Sequence, residues 1–228
     1  MKEDVINQLK KVPLNNCYEG YFYSIAKNMF ENYCIKKGED IYYFTSLEFY
    51  FCHKNHFDMI TYPRNTEAGQ WFFHQSGVDL TFESHFSNLS KYNYKPIVSV
   101  KDDYAYGGIL IKEVVKKGGK LELKGPCITM WELFDVINAF SVNVNNQNVI
   151  ISKNWPVITE SEGFPVRNLK SMKRVLRLDT DEAITKKFKS LNKYIFKNAI
   201  PQSEEDKFKE TVLKKYCFEV PRDHYDHR

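Results

Sequence analysis

Hydrophobic residues follow two different periodicities along this chain, which predicts helices at both ends and a sheet between them. Residues 3–12 predict a short helix. A longer helix is predicted to follow, capped by Asn16 and ended by Gly38. From residue 41 the pattern changes to a continuous β-branched and aromatic run, 41–51, which is typical of a buried strand. The residues at helical spacing in the longer helix are Tyr18, Phe22, Ile25, Met29 and Tyr33.

Shorter apolar runs extend the predicted sheet beyond residue 51. The segments 70–74 and 78–83, separated by Ser76-Gly77, predict two strands joined by a turn. Further strands are expected at 96–100 and 109–115, with Gly107-Gly108 between them. A helix is expected at 129–140, followed by an irregular segment, 143–163, with a short strand at 149–151.

The C-terminal sixty residues predict helices again. An amphipathic helix is expected from 184 onward, and a final helix beginning at Pro201. The chain is therefore predicted to be α+β and to form a single domain. Its three parts would be a helical N-terminal part (1–40), a sheet-rich core (41–165) and a basic helical C-terminal part (166–228).

Composition is that of a soluble globular protein with many aromatic residues. Of 228 residues, 43% are hydrophobic and 27% charged, while 15% are aromatic, which indicates a bulky core or a stacking surface. No run approaches the length of a membrane helix, and the first residues lack the pattern of a secretory signal. We therefore expect a cytoplasmic protein without membrane contact. The five cysteines include no CxxC pair, which argues against a disulfide framework or structural zinc, and no cofactor is expected.

The predicted amphipathic helix carries a face of lysines only. Its apolar positions fall on one side at 100° per residue and its lysines on the other. This face is either an ordinary solvated surface or a contact for a polyanion such as duplex DNA or another nucleic acid, a reading to which the net charge of +4 adds weak support. The lysines concerned are Lys186, Lys189, Lys193 and Lys197.

Histidines concentrate after the buried strand. His53, His56 and Asp58 lie close together in sequence, and His74 follows on the next predicted strand. Imidazoles and a carboxylate could form a facial metal site and support a metal-dependent hydrolase. Alternatively, His53 and His56 are exposed loop residues and His74 is a hydrogen-bonded inner histidine.

Glu48 is the carboxylate in the middle of the buried run. Tyr50 lies two residues further on and therefore on the same face of the strand. A carboxylate beside a phenol can polarise water near a stacked planar substrate. The same pair can equally be a hydrogen-bonded contact in a core.

The chain resembles the alkyladenine (3-methyladenine) DNA glycosylase family over residues 40–140. In that family a Glu-x-Tyr strand, a Thr-Pro-Arg-Asn run, a Val-Leu-Ile-Arg strand and a Gly-Pro-Gly segment occur in this order. The corresponding segments here are Leu47-Glu48-Phe49-Tyr50, Thr61-Tyr62-Pro63-Arg64-Asn65, Gly108-Ile109-Leu110-Ile111-Lys112 and Gly125-Pro126.

The resemblance implies a curved, mainly antiparallel sheet and a protein that flips a damaged purine out of duplex DNA and hydrolyses its N-glycosidic bond. Glu48 would activate the attacking water, and Tyr50 would stack beside it. Arg64 would match the arginine of the Pro-Arg-Asn turn.

The block 71–82 resembles a second group, of bacterial and fungal proteins with no assigned activity. These proteins carry a Trp-Tyr-Phe-His stretch and a Leu-Asp-Ile-Thr-Phe stretch before a Gly-Gly-Ile-Leu-Ile-Arg strand. From the resemblance to the glycosylase family we expect a substrate pocket, and the alternative to catalysis is a binding module for nucleic acid or nucleotides on the same fold. The expected pocket residues are Tyr50, Arg64, Trp71, His74 and Asp79.

Overall fold

The computed structural model describes most of the chain and shows five α-helices and ten strands within that part. It describes residues 4–12, 18–86, 104–118, 122–134, 155–164, 166, 168–174, 178–194, 198 and 200–221. The helices are α1 (Val5–Lys10), α2 (Tyr18–Asn32), α3 (Pro126–Leu133), α4 (Asp181–Tyr194) and α5 (Glu205–Leu213), with a short 3-10 helix at Gln202–Glu204. The strands are β1 (Tyr33–Lys37), β2 (Asp40–His53), β3 (Trp71–His74), β4 (Gly77–Thr81), β5 (His85–Phe86), β6 (Tyr104–Lys116), β7 (Glu122–Lys124), β8 (Val157–Glu160), β9 (Lys170–Met172) and β10 (Cys217–Glu219).

Two long antiparallel strands, β2 and β6, form the centre of the sheet. Shorter strands share their outer edges: β1 and β10 pair with β2, while β4, β5 and β7 pair with β6. The order β3-β4-β6-β2-β1-β8 completes the sheet, and β9 joins at β10. The register of β2 against β6 shifts between Phe44 and Leu47, a bulge that bends the strand. The predicted α+β fold with a curved antiparallel sheet is confirmed.

The two faces of the sheet have different partners. On one face, α2 covers the aromatic residues of β2, and Phe22 stacks on Phe49 with ring centroids 5.0 Å apart. The C-terminal helices α4 and α5 form a second apolar cluster, in which Phe188 packs 5.8 Å from Phe208. Met59, from the connection after β2, belongs to that cluster and joins it to the sheet.

Three assignments of secondary structure predicted from sequence are wrong. The helix expected to reach Gly38 ends at Asn32, because the next residues pair with both β2 and β8 as strand β1. The expected break at Gly107-Gly108 is absent, since β6 runs through both glycines while paired with β2. Strand β8 lies within the segment expected to be irregular.

Other predictions fall partly or wholly outside the described residues. These are the strands expected at 96–100 and 149–151 and the second half of the helix expected at 129–140. The described part of that helix begins earlier, at Pro126. In the described part of the chain, no helix has the length and apolar character needed to cross a membrane.

Candidate ligand cavity

A row of residues in register crosses four strands on the face of the sheet opposite α2. Asp79 of β4 pairs with Leu110 of β6, which pairs with Glu48 of β2, which pairs with Cys217 of β10. Residues directly opposite one another in antiparallel strands project to the same face. The face of the sheet that was predicted to carry Glu48 and Tyr50 therefore also carries Asp79, Leu110 and Cys217.

A cavity of about 200 Å³ lies above part of this row. Tyr50, Asp79 and Leu110 line it from the sheet. Other walls come from the connection after β2 (Ile60, Tyr62, Arg64), from the β3–β4 hairpin (His74, Gln75, Ser76) and from the C-terminal part (Leu178, Lys187). Gln75, Ser76 and Lys187 are exposed and form the solvent side of the cavity.

Asp79 is held by two charged or polar side chains. Arg64 Nη2 lies 2.8 Å from Asp79 Oδ2, and both side chains are almost fully buried. His74 Nδ1 accepts a hydrogen bond from the backbone N–H of Ser76, so the proton is on Nε2, which donates to Asp79 Oδ1 at 2.9 Å. Both carboxylate oxygens and both imidazole nitrogens are thus engaged within the protein.

Arg64 is fixed in place by its surroundings. Its guanidinium carbon lies 3.9 Å from the centroid of the Phe72 ring, and its Nε donates to the Tyr62 carbonyl. Gly108 makes room for the guanidinium, since a Cβ there would lie 2.9 Å from Arg64 Nη1. This explains why a glycine stands in the middle of a central strand at this position.

Glu48 is buried next to the cavity but does not line it. The Tyr50 O–H donates to Glu48 Oε2 at 2.7 Å, and Lys112 Nζ lies 3.2 Å from Glu48 Oε1. Burial raises the pKa of Tyr50 well above its ordinary value, and the neighbouring Glu48 raises it further. The phenol therefore stays protonated and donates to the carboxylate.

The expected pocket residues separate into two groups. Tyr50, Arg64, His74 and Asp79 meet at the cavity, whereas Trp71 does not line it. Alternation along β3 explains the difference, because Trp71 projects to the face opposite His74. There its ring packs edge-on against Phe134, and its Nε1 donates to the Pro156 carbonyl.

The four predicted metal ligands are not brought together. His56 Nδ1 donates to the Phe51 carbonyl, and its Nε2 accepts from the Tyr216 O–H. Asp58 is paired with Arg174, and His74 is bound to Asp79. Within the described ranges, no three His, Cys, Asp or Glu side chains are placed to hold a metal ion. This contradicts the predicted site at His53, His56, Asp58 and His74.

The predicted lysine face is present on α4. Ile184, Phe188 and Leu191 are buried, as the amphipathic pattern predicts. Three of the predicted lysines, Lys186, Lys189 and Lys193, are exposed, and Lys197 lies outside the described residues.

The sequence interpretation missed Tyr62, Gln75 and Lys187 as cavity residues. Tyr62 lies within the Thr-Tyr-Pro-Arg-Asn run that carries the resemblance, and Gln75 follows His74 directly. Both positions could have been found from these neighbours. Lys187 lies on a different side of α4 from the lysine face. It lines the cavity because of the way α4 packs, which the local sequence does not indicate.

Comparison of the chain with family models, with curated proteins and with solved structures finds no match. Function is therefore inferred from the residues of the cavity.

Proposed function

We propose that the cavity binds one planar, polar molecule of nucleobase size, and that the protein is a nucleotide-binding or nucleic-acid-binding module. The observation that carries this proposal is a cavity of about 200 Å³ bordered by two tyrosines and by hydrogen-bonding side chains. A cavity of about 150 Å³ is enough for benzene, whereas drug-sized ligands need about 300 Å³ or more. One single or fused ring system is therefore the size that fits.

The chemistry of the wall supports a planar and electron-rich ligand. Tyr50 and Tyr62 offer aromatic surface, which is favourable for stacking on a base. Arg64 compensates the charge of Asp79, so the buried carboxylate does not repel the electron-rich edges of a base.

A phosphate group on the ligand is supported by the positive charge nearby. Lys187 lines the exposed side of the cavity, where a phosphate attached to a bound nucleoside could remain in water. The same helix carries Lys186, Lys189 and Lys193 on its exposed face. A longer nucleic acid could use these lysines for further phosphate contacts.

Hydrolysis by Glu48 is a second candidate function, and one contact favours it. Because Tyr50 both lines the cavity and donates to Glu48, the carboxylate is one side chain away from a bound base. Binding without hydrolysis is better supported, because a general base must reach the proton that it abstracts. Glu48 instead has Tyr50 on one oxygen and Lys112 close to the other.

Binding is tested by titrating AMP, GMP, UMP, CMP and labelled single-stranded and duplex oligonucleotides into the protein by calorimetry and fluorescence anisotropy. We expect Tyr62→Ala to weaken binding by about 5- to 150-fold, the loss of one base-stacking contact. The matched control is Tyr23→Ala, because Tyr23 is also half-buried but packs on Phe218 against the other face of the sheet. Absence of binding to every probe at low salt would contradict the proposal.

Hydrolysis is tested separately by measuring base release from alkylated duplex DNA. If Glu48 activates water, Glu48→Gln should lower the rate by about 10²- to 10⁴-fold while leaving DNA binding intact. The control is Glu160→Gln, an exposed glutamate of β8. No release by the wild-type protein, together with nucleotide binding, would leave binding alone as the function.

A further inference from the structure

Tyr62 and Gln75 form a hydrogen-bonded pair at the cavity. Gln75 Nε2 donates to the Tyr62 hydroxyl oxygen at 2.9 Å, and both side chains line the cavity. They come from different segments, Tyr62 from the connection after β2 and Gln75 from the β3–β4 hairpin. The contact fixes two polar groups side by side at the solvent side of the site.

The direction of this hydrogen bond leaves the Tyr62 O–H and the second N–H of Gln75 as donors and the Gln75 Oε1 as an acceptor. The Tyr62 oxygen accepts from Gln75, so its own O–H is directed elsewhere, and the Gln75 Oε1 remains an acceptor. Within the described part of the chain, neither group makes another side-chain hydrogen bond. Rotating the amide by half a turn gives the same outcome, because Tyr62 then donates to Oε1 and the amide N–H is left as the donor.

The other polar side chains deep in the cavity are already engaged. Asp79 uses one oxygen for Arg64 and the other for His74, and His74 uses its second nitrogen for the Ser76 backbone. The Tyr50 O–H donates its hydrogen bond to Glu48. Ser76 and Lys187 also line the cavity, but the pair formed by Tyr62 and Gln75 holds a donor and an acceptor side by side and is therefore suited to distinguish one ligand from another by hydrogen bonding.

We infer that the Tyr62–Gln75 pair recognises the edge of the ligand, which must present an acceptor and a donor side by side, on two atoms bonded to the same carbon. This inference rests on the proposed binding function and narrows its ligand class. The cis-amide edge of uracil or guanine and the amidine edge of adenine or cytosine have this arrangement. An apolar ring, or a base whose edge is blocked by alkylation, does not.

The test compares UMP with N3-methyl-UMP and AMP with N6,N6-dimethyl-AMP by calorimetry. Each methylated probe lacks the donor of the recognised edge, so a polar group of the pair is left without a partner. With the wild-type protein we expect the Kd of each methylated probe to be at least about tenfold higher than that of its unmethylated parent. The control for added bulk is 5-methyl-UMP, which keeps the edge and should bind within about threefold of UMP, in line with the small effect of one methyl group.

Two variants connect the discrimination to the pair. Tyr62→Phe keeps the ring but removes the hydroxyl, and Gln75→Leu replaces the exposed amide. In Gln75→Leu the parent and methylated probes should bind within about twofold of each other, because the acceptor that meets the donor of the ligand is removed. Tyr62→Phe removes the donor of the pair instead and should weaken binding of the parent and methylated probes alike.

The outcomes separate this inference from the function on which it rests. If the wild-type protein binds UMP and N3-methyl-UMP equally, or if Gln75→Leu keeps the discrimination, the recognition role of the pair is overturned while the binding function stands. If the wild-type protein binds none of the nucleotide and oligonucleotide probes, the proposed function itself is overturned and this inference with it.

Discussion

His56 has a protein partner on each ring nitrogen, and its burial favours the neutral ring. Nδ1 lies 2.7 Å from the Phe51 carbonyl oxygen and must donate to it, so Nε2 accepts from the Tyr216 O–H at 2.9 Å. A second proton on Nε2 would turn the Tyr216 hydroxyl from the donor into the acceptor of this hydrogen bond. Burial lowers the pKa of His56, which outweighs the opposite effect of the nearby Asp58.

The lowered pKa of His56 predicts a loss of stability in mild acid. In the unfolded chain the pKa is about 6.5, so below that pH the unfolded state binds a proton that the folded state does not. The free energy of unfolding should therefore decrease as the pH falls through 6.5, by up to about 1.4 kcal/mol per pH unit from this group, and be unaffected by it above that pH.

The measurement is chemical denaturation between pH 5 and pH 8, conditions that bracket the titration of histidine. His56→Gln should be less dependent on pH than the wild-type protein. The control is His85→Gln, which removes an exposed histidine in place of a buried one. Equal pH dependence in His56→Gln and the wild-type protein would show that His56 has no such role.

At the scale of single residues, sequence predicts which side chains share a strand face but not which partners they meet. The alternation in β2 places Glu48 and Tyr50 together, and the two are in contact. Lys112 and Cys217 complete that contact from strands far along the chain, and nothing in their local sequence indicates it. His56 and Asp58, although neighbours in sequence, are bound to different partners for the same reason.

At the scale of elements, the turn between β1 and β2 depends on the backbone of Gly38. Its φ of 59° lies in the left-handed region, where a side chain costs about 1–2 kcal/mol. The turn brings Lys37 opposite Asp40 and so sets the register of β1 on β2.

We therefore expect Gly38→Ala to lower the free energy of unfolding by about 1 kcal/mol. The matched control is Gly20→Ala, because Gly20 lies in α2 and a Cβ there meets no atom within 4 Å. Alanine at Gly20 should raise stability by about 0.5–1 kcal/mol. Thermal and urea unfolding of both variants would reveal the opposite signs, and a stabilised Gly38→Ala would contradict the proposed role of the turn.

Elements with one clear periodicity could be predicted, and elements with an ambiguous one could not. The aromatic run of β2 and the β3–β4 hairpin were found from sequence. Tyr33 follows Met29 at helical spacing and equally begins a strand. The strand conformation is decided by pairing, because β1 lies between β2 and β8. This pairing depends on tertiary contacts and not on local spacing.

At the scale of the whole molecule, one buried ion pair connects the sheet to the C-terminal helices. Arg174 Nη1 lies 2.5 Å from Asp58 Oδ2, and both side chains are fully buried. The same guanidinium donates to the carbonyl of Phe49 in β2 and to the carbonyl of Thr211 in α5. Burial opposes the charge of Arg174, but Asp58 together with Tyr50 and Tyr216 more than compensates, so the pKa of Arg174 is raised.

Removing one partner leaves the other charge buried and unpaired. Asp58→Asn should therefore lower the free energy of unfolding by about 3–5 kcal/mol. The control is Asp40→Asn, which breaks the partly exposed pair of Asp40 with Lys116 and should cost less than about 1 kcal/mol. Denaturant titrations that give similar losses for both variants would contradict the central position of Arg174.

For the molecule as a whole, the sequence was sufficient to predict the class of fold, because the periodicity of its hydrophobic residues changes at residue 41 and again near residue 184. It was not sufficient for the packing of α4 and α5. That packing depends on Met59 and Arg174, whose local sequences do not indicate contacts with distant segments.

The position of the cavity between the sheet and the C-terminal part has a consequence for synthesis of the chain. Leu178 and Lys187 supply the last part of its wall, and Arg174 packs 4.8 Å from the ring of Tyr50. A nascent polypeptide that has emerged only through the central strands lacks all three. The ligand binding proposed above would therefore require translation at least as far as Lys187.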